Sequence, residues 1–317
     1  FLRYGDGGGW LAMAQKQGKV GLDAAGLAVA RALHNQQKPT AFMSRSVEYT
    51  DGPLGDEGGI GILRSGPPDD QSMLVMKYGA QGFGHGHYDK LGFLYYDRGR
   101  EIVQDYGAVR FIKIEPKYGG RYLPETESWS KQTVAHNTVA VDGKSHYGGV
   151  YKVAQQNHAD RHFFSADDPA LQVVSGKAEG VYPGVSMQRT MAMITDSTLP
   201  KPIILDFFRL DSKQMHQYDL PLYYMGQFIH TNVATKAFDS VRTRLGLSNG
   251  YQHLWKEAEG KVLGPVAFTW LQGDRFYSMV SAAVTFTTVM FTRIGAGDPN
   301  FNLRNEPGMM LRRNATS

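Results

Sequence analysis

Phe93-Leu94-Tyr95-Tyr96-Asp97-Arg98-Gly99-Arg100-Glu101-Ile102-Val103 reads as two short apolar runs folded back on each other. Gly99 stands where a tight hairpin needs positive φ, so the segment predicts antiparallel strands joined by a short turn. Similar runs recur on both sides at strand length: Gly59 to Leu63, Ser72 to Lys77, Leu91 to Tyr96, Glu101 to Gln104, Thr133 to Val141 and Gln172 to Ser175. Val185 to Ile194, Pro202 to Leu210, Val266 to Trp270, Phe276 to Ala283 and Thr285 to Phe291 continue the series. Gly, Pro, Asn and Asp punctuate nearly every gap, as sequential antiparallel strands require. Many strands with almost no helix predict a mainly β fold, a large antiparallel β-sandwich. The one convincing helix lies upstream, from Asp23 to about Gln37, with Leu27, Val29, Ala30 and Leu33 at helical spacing, Asp23 as cap and Pro39 beyond the end. The expected division is therefore 1–40, the end of a helical domain, and 41–317, the sandwich.

The 317 residues are 42% hydrophobic and only 20% charged, enough apolar material for a buried core, which excludes intrinsic disorder. No run of about 18 apolar residues exists to span a membrane as a helix. The 34 Lys plus Arg against 30 Asp plus Glu leave a net charge of +4, and the cations are scattered singly. With no finger, basic helix or RNA-platform motif, nucleic acid is not an expected partner. The absence of cysteine removes disulfides, thiolate zinc sites and cysteine nucleophiles, so any metal must be held by His and carboxylate. The chain opens Phe1-Leu2-Arg3 without Met or signal peptide, and reads as the later part of a longer protein.

Immediately upstream of the hairpin lies Gly82-Phe83-Gly84-His85-Gly86-His87-Tyr88-Asp89-Lys90-Leu91, and downstream of it come Gln104-Asp105-Tyr106-Gly107 and Ala135-His136-Asn137-Thr138. The reversal at Gly99 would return Asp105 toward His87, with His136 arriving on a separate strand. Two imidazoles and a carboxylate form a borderline-soft donor set suited to Zn2+. A lone His or Asp is more often core or surface than ligand, so the residues alone leave both a metal site and plain packing open. His158 and His162 share i, i+4 spacing without a helix around them, and His216 reads as a buried histidine with hydrogen-bonded partners.

The stretch from Gly84 to Leu91 resembles the heparinase II/III-like polysaccharide lyases, and within them the oligoalginate lyases of polysaccharide lyase family 17. The similarity continues through Gly120-Arg121-Tyr122-Leu123-Pro124-Glu125, Tyr182-Pro183-Gly184-Val185, His216-Gln217-Tyr218-Asp219-Leu220-Pro221 and Asn300-Phe301-Asn302-Leu303-Arg304. The resemblance implies an N-terminal (α/α) toroid, mostly absent from this chain, followed by the antiparallel β-sandwich. It implies a zinc site at His87, Asp105 and His136, mainly structural, although three ligands with an open fourth position would ordinarily argue for a catalytic metal. It implies that His85 faces the reacting sugar while Arg110 and Tyr122 hold substrate, and that the toroid supplies a proton-transferring Tyr and an Asn-His pair. The activity implied is exolytic β-elimination on alginate in the bacterial periplasm or outside the cell, with a homodimer as a plausible assembly. The resemblance also leaves two other readings standing: a lyase for heparan or hyaluronan, and a noncatalytic zinc-stabilised carbohydrate-binding sandwich.

Overall fold

The computed structural model describes residues 44–82, 84–107, 109, 123–237, 242–282 and 287–316. Residues 1–40 with the expected helix, and Arg110 and Tyr122, lie outside the described residues. Strands β1 (Val47–Thr50), β2 (Gly59–Ser65), β3 (Ser72–Lys77), β4 (Phe93–Asp97) and β5 (Arg100–Val103) pair in chain order into one antiparallel sheet. The hairpin anticipated from the sequence is β4–β5, and Arg98 (φ 50) and Gly99 (φ 70) carry its turn through left-handed backbone. In β3 buried and half-buried residues alternate, the period of a strand with one face on the core.

After β6 (Ala140–Val141), strands β7 (Asp160–Ser165), β8 (Leu171–Tyr182), β9 (Val185–Ile194) and β10 (Ile203–Ser212) form a meander ordered β10-β9-β8-β7. Then come β11 (Met215–Leu222), β12 (Gln227–Thr231), β13 (Lys236–Ala237), β14 (Thr243–Arg244), β15 (Leu254–Val262), β16 (Val266–Gln272), β17 (Arg275–Ser281), β18 (Thr287–Ile294) and β19 (Pro307–Thr316). These divide between a larger sheet ordered β13-β15-β18-β19-β11-β6, with β14 also on β15, and a small sheet ordered β12-β16-β17. Every strand pair is antiparallel.

One apolar core joins all four sheets, with Leu63 and Leu74 from the first, Val174 and Met191 from the second, Val289 and Met309 from the third, and Phe268 and Trp270 from the last. A second core gathers Tyr106, Trp129, Val134, Tyr223, Leu254 and Leu303. Trp129 is its centre, meeting Tyr106 and Tyr223 edge-on at 5.7 and 6.1 Å. This second core underlies the loops that carry the expected ligands, because Tyr106 follows Asp105 and Val134 and Ala135 precede His136.

The expected strand from Thr133 to Val141 does not form. Thr133–Ala135 is a single 3-10 turn, His136 to Val139 are irregular, and only Ala140–Val141 pair. The reason is two-sided burial: every residue from Thr133 to Val141 is buried, so no solvent face exists to set a period of two. Side chains make the hydrogen bonds a ladder would have made. Thr133 Oγ1 donates to the Tyr88 carbonyl at 2.6 Å, and Thr138 Oγ1 to the Lys90 carbonyl at 2.7 Å.

Candidate active site and metal centre

The loop Gly84-His85-Gly86-His87 is fixed by what lies under it. A Cβ placed on Gly86 would stand 1.7 Å from the Gln81 carbonyl oxygen, so only glycine permits this approach. Neither glycine flanking His85 holds positive φ; the left-handed position is Gly82 (φ 74), and Gly86 is required for closeness rather than for turning. The result still separates the two imidazoles: His85 is exposed, while His87 is half-buried against the His136 ring, with centroids 5.2 Å apart.

Below the loop the chain is anchored by charge and backbone contacts. Lys77 Nζ donates to both Asp89 carboxylate oxygens at 2.8 Å. Burial would raise the Asp89 carboxyl, yet the Lys77 ammonium together with the nearby His136 and His87 outweighs this and holds it below the ordinary range. The Tyr88 amide donates to the Lys131 carbonyl at 2.9 Å, bringing His87 beside the segment that carries His136. Lys90 is fully buried, with Nζ donating to the Gly79 carbonyl at 2.7 Å, and burial lowers its ammonium to about 8.

Asp105 is placed by Asn137. The Asn137 side-chain amide donates to the carbonyls of Gln104 (2.6 Å) and Phe93 (3.0 Å), and its oxygen accepts from the Tyr223 amide at 2.8 Å. Tyr223 in turn accepts from the Gln104 amide at 2.9 Å, closing a ring. Because Gln104 precedes Asp105 and Asn137 follows His136, this ring sets carboxylate and imidazole side by side. His136 Nδ1 lies 3.1 Å from each Asp105 oxygen.

Donor atoms of His87, Asp105 and His136 all fall within 4.8 Å of one another. Tetrahedral zinc, with bonds of about 2.0–2.1 Å, places its donors roughly 3.3 Å apart, so the set fits after a small contraction. Burial acts to lower the His136 imidazole, but Asp105 outweighs it and raises it, so a metal ligated there would take the place of that proton. Burial, with His136 beside it, lowers His87 to about 4, which keeps that imidazole neutral and its lone pair available at neutral pH. Burial acts to raise Asp105, but His136 overrides it and holds the carboxyl well below its usual value, ready as an anionic donor. His136 is wholly buried and its Nε2 has no hydrogen-bond partner among the described residues.

The structure thus brings together His87, Asp105 and His136 and puts His85 on the adjoining exposed loop. His158 and His162 lie at and in β7, with His162 Nδ1 against Ser175 Oγ at 3.1 Å. His216 is half-buried with Nδ1 on Asp142 at 2.7 Å, a structural pair as expected. Sequence reasoning missed Arg189, which is 1% exposed at the heart of the scaffold. It forks onto Asp206 at 2.9 and 2.6 Å, donates to the carbonyls of Leu91 (2.8 Å) and Asn137 (2.5 Å), and lies between the rings of Phe93 and Phe208. A signal for it existed: a lone cation at an inward position among Val185, Met187, Met191 and Met193 of β9 must be paired.

Residues 49–282 match the family model for the heparinase II/III-like C-terminal domain. The chain is 41% identical over 304 residues to an alginate lyase of Stenotrophomonas maltophilia, covering 95% of this chain and 40% of that protein. It is 40% identical over 310 residues to an exo-oligoalginate lyase of Saccharophagus degradans, covering 95% and 41% respectively. The chain therefore spans about two fifths of the length of these relatives. In fold it is similar to the heparan sulfate lyase of Pedobacter heparinus, with TM-score 0.53 and 15% identity over 97% of this chain and 39% of that one. The antiparallel sandwich inferred from strand spacing and the motif resemblance that starts at Gly84 converge on one assignment: this chain belongs to the heparinase II/III-like C-terminal family.

Proposed function

We propose that this chain is the sandwich part of an alginate lyase of polysaccharide lyase family 17, acting exolytically on oligoalginate. The observation that carries the reading is the 40–41% identity, over 95% of the chain, to two proteins named for alginate cleavage. Alginate is a 4-linked uronic acid polymer. In β-elimination a base removes the C5 proton, the electron pair forms the C4–C5 double bond, and the 4-linked oxygen departs with a proton from an acid. The C5 proton is very weakly acidic because it is α to a carboxylate, so donors must be aimed where the enediolate charge develops.

His85 is the residue of the described sandwich that we assign to this chemistry. It is exposed on a loop that Gly86 locks against Gln81, and an imidazole can give or take a proton near neutral pH. Arg110 would present a planar fork to a uronate carboxylate, and Tyr122 would hold substrate beside it. His87, Asp105 and His136 would hold Zn2+, which when bound supplies a structural crosslink between the loop before β4, the end of β5 and the segment after Thr133–Ala135. The burial of His136 and the position of His85 outside the donor set support that role. An (α/α) toroid preceding the sandwich would complete the cleft and supply the remaining proton-transfer and carboxylate-neutralising groups, with a homodimer and a periplasmic or extracellular setting as part of the same reading.

The test is the absorbance of unsaturated uronate when the enzyme, toroid included, meets alginate, heparin and hyaluronan in turn. Product from alginate alone is the expected result. Product only from heparin or hyaluronan would move the substrate to another uronate polymer, and product from none would leave a carbohydrate-binding sandwich.

A further inference from the structure

On the larger sheet, three side chains stand in one cross-strand row. Arg244 of β14 pairs with Trp255 of β15, and Trp255 pairs with Arg293 of β18. Residues directly opposite in an antiparallel ladder project to the same face, so the indole is flanked by two guanidinium groups. Arg242, two residues before Arg244, adds a third cation.

The cations outnumber the anions that face them. Glu257 pairs with Arg293 at 2.7 Å and lies 3.5 Å from Arg242. Asp298 is 6% exposed and its two oxygens accept the amides of Asn302 (3.0 Å) and Leu303 (2.7 Å). Among the described residues no carboxylate lies within ion-pair distance of Arg244, whose guanidinium sits 6.0 Å over the Trp255 ring. Arg242 and Arg244 are both exposed.

Arg242, Arg244, Trp255 and Asp298 line a groove of about 620 Å³, within the roughly 300–1,000 Å³ of ligand clefts. Its floor runs along Gly295-Ala296-Gly297, which project no large side chain into it. The far wall carries Phe301, 77% exposed and held at φ 55. A bulky aromatic in left-handed backbone is a costly placement, here maintained by the Asp298 turn, whose carbonyl accepts the Phe301 amide at 3.2 Å. Next to the groove, Arg304 lies over the ring of Tyr106 at 4.3 Å, and Tyr106 is the neighbour of Asp105. The groove therefore adjoins the loops of the candidate metal centre while sharing none of its residues.

We infer that this groove is a second uronate-binding site, in which Arg244 and Arg242 take a sugar carboxylate and Trp255 takes the apolar C–H face of the pyranose. Guanidinium forks match planar carboxylates with two parallel hydrogen bonds, and an indole offers a broad apolar surface with little entropy to lose. A neutral sugar would use the ring and leave both arginines idle, so the site distinguishes uronates from neutral hexoses. The inference rests on the reading of the protein as a uronate polymer lyase, and it adds a place where the same polymer is gripped away from His85.

The test uses the enzyme labelled with 5-fluorotryptophan, with the Trp255 fluorine resonance assigned by Trp255→Phe. Alginate oligomers should shift that resonance saturably in a His85→Ala background. Cello-oligomers of equal length should not, and Arg242→Ala/Arg244→Ala should weaken the effect at least tenfold while kcat on a trisaccharide stays unchanged in the parent. A resonance unmoved by any uronate oligomer, moved equally by cello-oligomers, or moved equally in the double variant would overturn the site. If the parent yields no unsaturated product from alginate, the alginate-lyase reading fails on its own. Hyaluronan oligomers then probe the groove, supporting it if their shift is lost in the double variant and refuting it if they produce none.

Discussion

Replacing Gly86 by alanine tests how the loop positions both histidines. The added Cβ would lie 1.7 Å from the Gln81 carbonyl oxygen, whereas real Cβ contacts essentially never fall under 3.0 Å, so the two backbones must part by at least 3.0 − 1.7 = 1.3 Å. The obstacle is backbone, which cannot swing aside as a side-chain end would. Misplacing a reacting group by about 1 Å can cost roughly 10²-fold in rate, about 2.7 kcal/mol of transition-state stabilisation. Overpacking of this kind also costs about 1–3 kcal/mol of stability. Gly86→Ala should therefore lower kcat/KM on alginate oligomers by about 100-fold, reduce zinc content because His87 moves too, and lower the melting temperature. Gly84→Ala is the matched control. A Cβ at Gly84 would meet nothing within 4 Å among the described residues and its φ is not in the left-handed range, so activity and stability should stay near parental, within about 0.5 kcal/mol. Unchanged turnover and zinc in Gly86→Ala, or an equal fall in Gly84→Ala, would refute the claim that contact with Gln81 sets the loop.

Asn137→Ala removes two donations and one acceptance among Phe93, Gln104 and Tyr223, and with buried unsatisfied groups costing about 1–3 kcal/mol each it should lose at least about 3 kcal/mol in urea unfolding. Zinc affinity should fall with it, since Gln104 anchors Asp105. Arg189→Met leaves the buried carbonyls of Leu91 and Asn137 without their donor and the solvent-facing Asp206 without its partner, and should cost at least about 2 kcal/mol by the same measurement. Burial lowers His146 from 6.5 to about 3, so the folded state resists a proton that the unfolded chain accepts. Its contribution is fully present above pH 6.5 and is lost as pH falls from 6.5 toward 3, by up to about 1.4 kcal/mol per pH unit. Denaturant titrations across that window should show a shallower acid decline for His146→Gln than for the parent.

The sequence was most legible where one face of a strand meets solvent. β3 and β9 run over the residues their apolar runs marked, and the Arg98-Gly99 turn is where the hairpin placed it. It was least legible where side chains replace the ladder: Thr133, Asn137 and Thr138 are polar, buried and bonded to distant carbonyls, so a stretch that reads as a strand is a pinned irregular segment. β11, β15 and β19 were also missed. β15 carries the charged run Lys256-Glu257-Ala258-Glu259 and the second half of β19 carries Arg312-Arg313-Asn314, which mask a strand whose polar groups find ion partners such as Asp219. The association of His87, Asp105 and His136 could be proposed from the hairpin. The ring of Asn137, Tyr223 and Gln104 that makes it specific joins residues up to 119 positions apart, and no local pattern encodes that.

The central claim is that this sandwich contributes His85 to β-elimination while His87, Asp105 and His136 serve structure. Its most direct test is His85→Ala in the toroid-bearing enzyme, followed by unsaturated-uronate absorbance, bound zinc and melting temperature on the same preparation. The account predicts loss of turnover with zinc content and melting temperature unchanged. Parental turnover in His85→Ala, or loss of turnover accompanied by loss of zinc and fold, would contradict it.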